Sequence, residues 1–457
     1  MGVKLRRKIL SVQGTNVQGC PGLLFNSVIF PAGKMQQMQR FQGLFGIILI
    51  LGLAFLFSNN RRRINTRLVF SGLLLQLIIA VLVLKVDPVT RFFQFLGRGM
   101  ERLEHFAFQG AAFVFEGIAV PAPGGGAKDY AMGGFVFAFN VTATIILVCA
   151  LVALLYHLGI MQRIVAMIAR AMNFIMRVSG AEALSNVASA FVGQIEAQIM
   201  IQPYLPGMTK SELLASMSGS LACIAGGILI VYVNMGAQAG MDLAPKLITA
   251  SLMAAPGALV ISKIVWPETE QSQTLGTVKL KVTSRYTNLL DAITHGAGEG
   301  FKIAMNVIAM LIGFIAMIAL VDYLLLKTGH LFNPSFDLSL NWIFGKIFYP
   351  FAWSMGVPAE DVGNVATLLG QKLTVNEFVA FKNLTSGAVP VLSQKGLMIV
   401  SIAICGFANF SSVGMQIGGI GAIVPERRAD LARLGMKALL CGTLASYLSA
   451  TIAGMLM

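Results

Sequence analysis

Charge is scarce in this chain: Asp, Glu, Lys and Arg make up 12% of its 457 residues, where a soluble domain carries about 25%. Histidine and cysteine are scarce too, at 4 and 5 residues. Cys20, Cys149, Cys223, Cys405 and Cys441 have no metal-type spacing, and four of them lie in apolar or Gly-rich runs, which argues against a disulfide framework or a zinc site. His105, His157, His295 and His330 never approach one another at ligand spacing, so no metal site is expected. Gly124-Gly125-Gly126 follows no strand and opens no helix, and reads as a turn, not as a phosphate loop. Asn140-Val141-Thr142 matches a glycosylation sequon but lies inside an apolar run, out of reach of that modification.

What is abundant is apolar surface. Hydrophobic residues reach 56% and the mean hydropathy is +0.76, more than a soluble fold hides, so the bilayer is the solvent. Eight runs suit helices that cross about 30 Å of hydrocarbon: residues 41–57, 68–84, 134–158, 213–235, 244–265, 303–326, 396–424 and 436–457. Two stretches, 89–116 and 160–178, are too charged to cross and are expected in the interface plane, the second with Arg163, Arg170 and Arg177 on one face. The net charge of +14 comes from short clusters between apolar runs, not from one basic face, so it marks topology and excludes nucleic acid as a partner. Arg61 to Arg63 with Arg67, the three arginines of 160–178, Lys279 with Lys281 and Arg285, and Arg427 with Arg428 and Arg433 all fall on one side. Placing that side in the cytoplasm puts both termini outside. The basic residues Lys4 to Lys8 oppose this, and a start near Met35 in place of Met1 removes most of the conflict.

Two further segments, 181–205 and 359–384, have helix-like apolar residues but are interrupted by Gly, Asn, Gln and Glu. They share a pattern: Asn186-Val-Ala-Ser, then Gly193-Gln194 and Glu196; Asn364-Val-Ala-Thr, then Gly370-Gln371 and Glu377. Each copy precedes two spans, and the topology starts one inside and the other outside, as in transporters built from inverted repeats with broken helices. A carboxylate at the bilayer centre costs about 2.5–3.5 kcal/mol or more, so Glu196 and Glu377 belong beside a polar cavity or pair with a neighbour such as Lys372. Gln194, Asn376 and Asn409 add donors and acceptors beside the breaks, where hydroxyls and a heterocycle would fit. The polar run Gly406 to Ser412 either lines the pathway or bonds to another helix.

Gly370-Gln371-Lys372-Leu373-Thr374-Val375-Asn376-Glu377-Phe378-Val379-Ala380-Phe381 closely resembles the signature of the concentrative nucleoside transporter family. Gly193-Gln194-Ile195-Glu196-Ala197 with Gln202-Pro203-Tyr204-Leu205 is similar to that family's first hairpin, and Gly406 to Ser412 is a third match in the right order, over residues 41–457. The resemblance implies an all-α membrane protein of eight transmembrane helices plus two re-entrant helical hairpins in inverted repeats. It also implies a nucleoside substrate, a homotrimer in the cytoplasmic (inner) membrane, and an elevator-like motion. It places Gln194, Ile195, Glu196 and Ile228 around the nucleobase, and Glu377, Asn409 and Ser412 on the ribose with Phe407 nearby. Analogues lacking the ribose hydroxyls are then expected to bind more weakly.

Departures from the family pattern carry further expectations. Ile195 stands where sodium-coupled members have Thr, so a base-facing hydrogen bond is lost, and Gln198 replaces the usual Pro. The family's sodium ligands align with Ser189 and Cys223, beside Val192 and Ile224; a thiol is a poor ligand for a hard cation. Proton coupling is therefore expected over sodium, carried by Glu377 or Glu196, with no cofactor. The expected organisation is a disordered extension over 1–37, scaffold helices over 38–130, span three with an interfacial helix over 131–180, and a first hairpin repeat over 181–265. A loop, span six and an interfacial segment follow over 266–358, and a second hairpin repeat over 359–457. A membrane enzyme using Glu196 and Glu377 as acid and base is the competing reading, but no nucleophile or cofactor motif accompanies them.

Overall fold

A computed structural model describes residues 32–115, 137–272, 286–333 and 337–457. Among the described residues every regular element is helical, as the lack of water in a bilayer requires: a helix satisfies its backbone groups within its own segment. Among the described residues four helical stretches are long and apolar enough to cross, at 66–85, 210–238, 244–265 and 425–455, and a bent pair, taken as one span, adds a fifth. The chain opens with α1 (Ala32–Leu56), α2 (Thr66–Lys85), α3 (Asp87–Phe115) and α4 (Phe137–His157). Helix α1 begins inside the segment expected to be disordered, so residues 32–37 are helical; residues 1–31 lie outside the described residues, as do Gly124 to Gly126 and the basic loop at Lys279 to Arg285.

At Leu158-Gly159 the chain turns by 77° between α4 and α5 (Ile160–Met176), with Gly159 at φ +72°. Helix α5 buries Met161, Val165, Ala169, Met172 and Met176, a stripe at helical spacing. Arg163, Arg170 and Arg177 are exposed on the other side. The helix is thus two-faced, with the arginines on the face away from the packed stripe, as their spacing anticipates.

Two runs of elements then repeat the same order. The first is α6 (Gly180–Ser189), a tip at 190–195, α7 (Glu196–Met200), α8 (Lys210–Ala222), α9 (Gly226–Gln238) and α10 (Ala244–Val265). Between the runs lie α11 (Leu289–Phe332), α12 (Leu340–Ile347) and α13 (Tyr349–Ser354). The second run is α14 (Val362–Thr374), α15 (Glu377–Thr385), α16 (Gln394–Ile404), α17 (Phe410–Ile423) and α18 (Arg428–Met455). Each run is a short helical pair, then a helix broken in the middle, then an unbroken one. The expected spans at 213–235 and 396–424 are these broken helices, interrupted at Cys223 to Ala225 and at Cys405 to Asn409. Apolar periodicity hides the first break, whose residues are small or apolar, while the second falls in the polar run that begins at Gly406.

The core lies around α10 and α18, which pack on each other and on α8, α2, α16 and α1. Helix α10 is buried along almost its whole length, whereas α2 exposes Phe70, Leu74, Leu77 and Ile78 on its outer side. The expected span 303–326 sits inside α11, which runs unbroken for 44 residues, about 66 Å at 1.5 Å per residue. It packs along α4, with Gly296 and Gly300 against the α4 backbone: a Cβ on Gly296 would lie 2.7 Å from the Cys149 oxygen, and one on Gly300 2.8 Å from the Ile146 Cα. Small residues at such a spacing let helices approach closely where lipid gives no hydrophobic drive.

The starts of α6 and α8 carry capping boxes, Ser179 with Glu182 and Thr209 with Glu212. Lys263 near the end of α10 joins them: its Nζ is 2.8 Å from the Glu182 carboxylate and donates to Ser211 Oγ at 3.0 Å. The second run is tied at the same point without a lysine, by Asp361 accepting from the Ser393 backbone N–H at 3.0 Å and from its hydroxyl. Lys263→Met leaves a buried Glu182 without its cation and is expected to cost about 3–5 kcal/mol. Adding Glu182→Gln, which keeps the cap acceptor, should recover most of it. Thermal unfolding of the detergent-solubilised protein checks both, and a single variant as stable as the parent contradicts the assignment.

Candidate functional site

The two broken helices cross at their breaks. Cys223 and Ala225 are extended, and Phe407 in the other break donates its backbone N–H to the Cys223 carbonyl at 3.2 Å. Gly406 has φ +129° and lies so close to the Ala222 carbonyl that any Cβ would strike it. Only glycine meets both the left-handed backbone and the contact. The tip of the first pair is fastened to the same place, Gly226 N–H donating to the Phe191 carbonyl at 3.2 Å. Backbone groups thus leave their helical ladders in one small region, where side chains, water or a solute must answer them.

One side chain cluster there is acidic. Glu377 opens α15 after Asn376, whose side-chain oxygen accepts from Val379 N–H at 2.9 Å. Its buried carboxylate accepts from Asn409 Nδ2 at 2.9 Å and from the Tyr232 hydroxyl at 3.3 Å. Asn409 also caps α17, its Oδ1 accepting from Ser412 N–H at 2.8 Å. Tyr232 is held by ring contacts: its ring stacks on Phe381 at 4.3 Å between centroids and tilts against Phe378 at 5.8 Å. Three helices, α9, α15 and α17, therefore converge on one carboxyl group. Lys372 does not neutralise it through a salt bridge; the lysine is buried within electrostatic reach of Glu377, and its ammonium makes no hydrogen bond.

The other cluster sits at the tip of the first pair. Gln194 Oε1 accepts from Gln416 Nε2 at 3.5 Å, and the same nitrogen donates to the Met217 carbonyl at 3.2 Å. Ile195 packs on α17 at Gly419, where a Cβ would come within 2.6 Å of its Cδ1. Glu196 folds back over Gly193, which has φ +119°. Unlike Glu377, it is exposed, and it lies within electrostatic reach of Glu299 on α11. Helix α17 thus carries both clusters: Asn409 and Gln416 are seven residues apart, about 10 Å along a helix.

Ile228 lies half-buried in the first turn of α9 and Phe407 in the break between α16 and α17, with Ser412 buried beside it. The four residues aligned with ion ligands behave unevenly. Ser189 Oγ donates to the Ser185 carbonyl at 2.8 Å and is 2.8 Å from Ser220 Oγ. The Cys223 thiol donates to the Asn186 carbonyl at 3.8 Å, Ile224 is buried, and Val192 is half-buried in the tip. Tyr232 and Gln416 were not among the expected site residues. Each is a polar side chain in an otherwise apolar span, the signal that intramembrane polarity gives.

Residues 45–118, 138–239 and 246–454 match the sequence families described respectively as Na+ dependent nucleoside transporter N-terminus, Nucleoside recognition, and Na+ dependent nucleoside transporter C-terminus. The nucleoside permease NupC of Helicobacter pylori is 37% identical, over 90% of this chain and 96% of its own length. The chain belongs to the concentrative nucleoside transporter family. An uncharacterized transporter of Haemophilus influenzae is 39% identical over 92% of this chain and 98% of its own length. Sodium/nucleoside cotransporter 1 of Rattus norvegicus is 36% identical over 100% of this chain and 71% of its own. Among solved structures, CNTnw in an inward-facing substrate-bound state superposes with a TM-score of 0.83 at 37% identity, covering 92% of this chain and 98% of that one. A CNTnw variant in an outward-facing state gives 0.85 at the same identity and coverage. The chain is an integral membrane protein, as its relatives are, and those with a named activity are transporters.

Gly406→Ala tests the crossing. A methyl group there meets the Ala222 carbonyl in a backbone conformation that costs about 1–3 kcal/mol for a non-glycine residue, so the melting temperature should fall, while Gly414→Ala on open α17 surface should leave it within a degree or two. Equal melting of both variants contradicts the contact.

Proposed function

We propose that the chain is a secondary active symporter that imports nucleosides, with eight transmembrane helices, counting the two broken ones, and the two short pairs as re-entrant hairpins. The hairpins, with the broken helices, form the moving part of an elevator, carried by a homotrimeric scaffold of α1 to α4 and α11. The carrying observation is the cluster of Glu377, Asn409 and Tyr232 at the crossing, joined through α17 to Gln194 at the other tip. A ribose brings vicinal hydroxyls that donate to the carboxylate while Asn409 and Tyr232 turn from it to the sugar, and a heterocycle extends toward Gln194, Ile195 and Glu196. Hydrogen bonds to a charged acceptor are stronger than neutral ones. A site whose buried partners were left unanswered by a sugar lacking hydroxyls would reject that sugar.

Glu377→Gln keeps the shape and removes the charge. It should weaken uridine binding by about 1.5–3 kcal/mol, roughly tenfold or more, and narrow the gap between uridine and its 2′,3′-dideoxy analogue, measured by competition binding to purified protein. An unchanged gap would place the ribose elsewhere.

Proton coupling is supported by the engagement of the aligned ion positions within the protein. Ser189 Oγ already donates to a carbonyl and pairs with Ser220, and Cys223 offers a thiol where a hard cation prefers oxygen. Glu377 or Glu196 carries the proton; the titratable neighbours are Lys372, Tyr232 and Cys405 around the first and Glu299 and Cys149 around the second. Sodium coupling is favoured by the family description. Uridine uptake into proteoliposomes separates the two: an inward proton gradient in sodium-free buffer should drive accumulation, and uptake should rise as the outside pH falls. Full accumulation with a sodium gradient and no proton gradient contradicts proton coupling.

A further inference from the structure

Helix α7 is five residues long, and a helix that short is not held by its own hydrogen bonds. Its placement fixes the tip that carries Gln194 and Glu196, so something outside the helix must fix it. Gln198 is the fully buried polar side chain of α7, and it reaches both flanking helices. Its Nε2 donates to Ser185 Oγ on α6 at 3.0 Å and to Ser220 Oγ on α8 at 2.9 Å, and its Oε1 accepts from Ser216 Oγ on α8 at 2.8 Å. The serines are linked in turn: Ser185 and Ser216 hydroxyls are 2.6 Å apart, Ser189 and Ser220 hydroxyls 2.8 Å, and Ser189 donates to the Ser185 carbonyl at 2.8 Å.

The cluster closes without any external group. With Ser216 donating to Gln198 Oε1, Ser185 donates to Ser216. With Ser189 donating to a carbonyl, Ser220 donates to Ser189. Both amide hydrogens of Gln198 and all four hydroxyl hydrogens then have acceptors inside the protein. The Gln198 amide occupies acceptor positions on Ser185 and Ser220, the ion-aligned Ser189 hydroxyl donates to a carbonyl and pairs with Ser220, and none of the five bonded side chains is a carboxylate that could balance a buried positive charge.

We infer that Gln198 is a positioning residue that holds the first tip in its binding shape through an internal hydrogen-bond network, so that this tip needs no bound metal cation to be organised. The inference rests on the nucleoside-transport reading only for its effect on ligand affinity; its effect on the tip is independent of ligand. Truncating the side chain to a methyl group in Gln198→Ala unties α7 from α6 and α8. Replacing it by a carboxylate in Gln198→Glu removes two donors, adds an anion among four hydroxyls, and so turns the cluster into one that a sodium ion would complete.

The test is hydrogen–deuterium exchange of the full chain in lipid nanodiscs, in sodium chloride and in choline chloride, with uridine affinity measured in the same two salts. In the parent protein, exchange over residues 190–201 should be equal in both salts, and uridine affinity equal within twofold. Q198A should speed exchange over that segment at least tenfold, leave α18 unchanged, and weaken uridine at least tenfold in both salts. Q198E should be protected and bind only when sodium is present. Sodium-dependent protection of the tip in the parent, parent-like exchange in Q198A, or salt-independent behaviour in Q198E would each overturn the inference. A parent protein with salt-independent protection, lost in Q198A, that binds no nucleoside would remove the transport reading and leave the tether standing.

Discussion

The contact on which the rest depends is the crossing of two interrupted helices, made by one backbone hydrogen bond from Phe407 to Cys223 and by the bare Cα of Gly406 against the Ala222 carbonyl. In a membrane, a helix gives up its internal ladder only where protein or water replaces it. Here each break partly replaces the other. Several polar contacts at the crossing follow from that geometry. Asn409 stands at the restart of α17 and can cap it while holding Glu377, and the Phe191 carbonyl finds its donor in the first break.

The two repeats solve one mechanical problem with different chemistry. Both tie the start of a short helical pair to the start of the following broken helix. The first does so with a buried ion pair through Lys263 and the second with an aspartate that accepts from a serine. The tips also differ. The second is held by Asn376 as a cap and by aromatic packing around Tyr232, and the first by a carboxamide among serines. Glu377 is accordingly buried and fully engaged, whereas Glu196 is open to its surroundings and close to α4 and α11. The two tips thus meet the same helix, α17, with carboxyl groups of unequal burial.

Much of this was legible in the residues. The paired motifs at Asn186 and Asn364 located both short pairs, the scarcity of charge located the bilayer, and the arginine spacing located the outward face of α5. What escaped has physical reasons. The break at Cys223 lies in apolar sequence, because a backbone that leaves the helix next to another backbone needs small residues more than polar ones, whereas the break before α17 falls in the polar run that begins at Gly406. The 44-residue run of α11 continues beyond its apolar stretch because helix propensity does not stop where the membrane does. Gln198 read as a missing proline, and only the fold shows four serines, spread over residues 185–220, gathered around it. Pairwise contacts of that sort are set by tertiary packing, which no local pattern encodes.

The most direct measurement of the central claim is an experimental structure of the protein in lipid with a nucleoside bound. Ligand density is expected at the crossing of the two breaks, with ribose hydroxyls within hydrogen-bond distance of Glu377 and Asn409 and the base toward Gln194 and Glu196. Density elsewhere, or a Glu377 carboxylate still closed on Asn409 and Tyr232 with no ligand oxygen beside it, would contradict that claim.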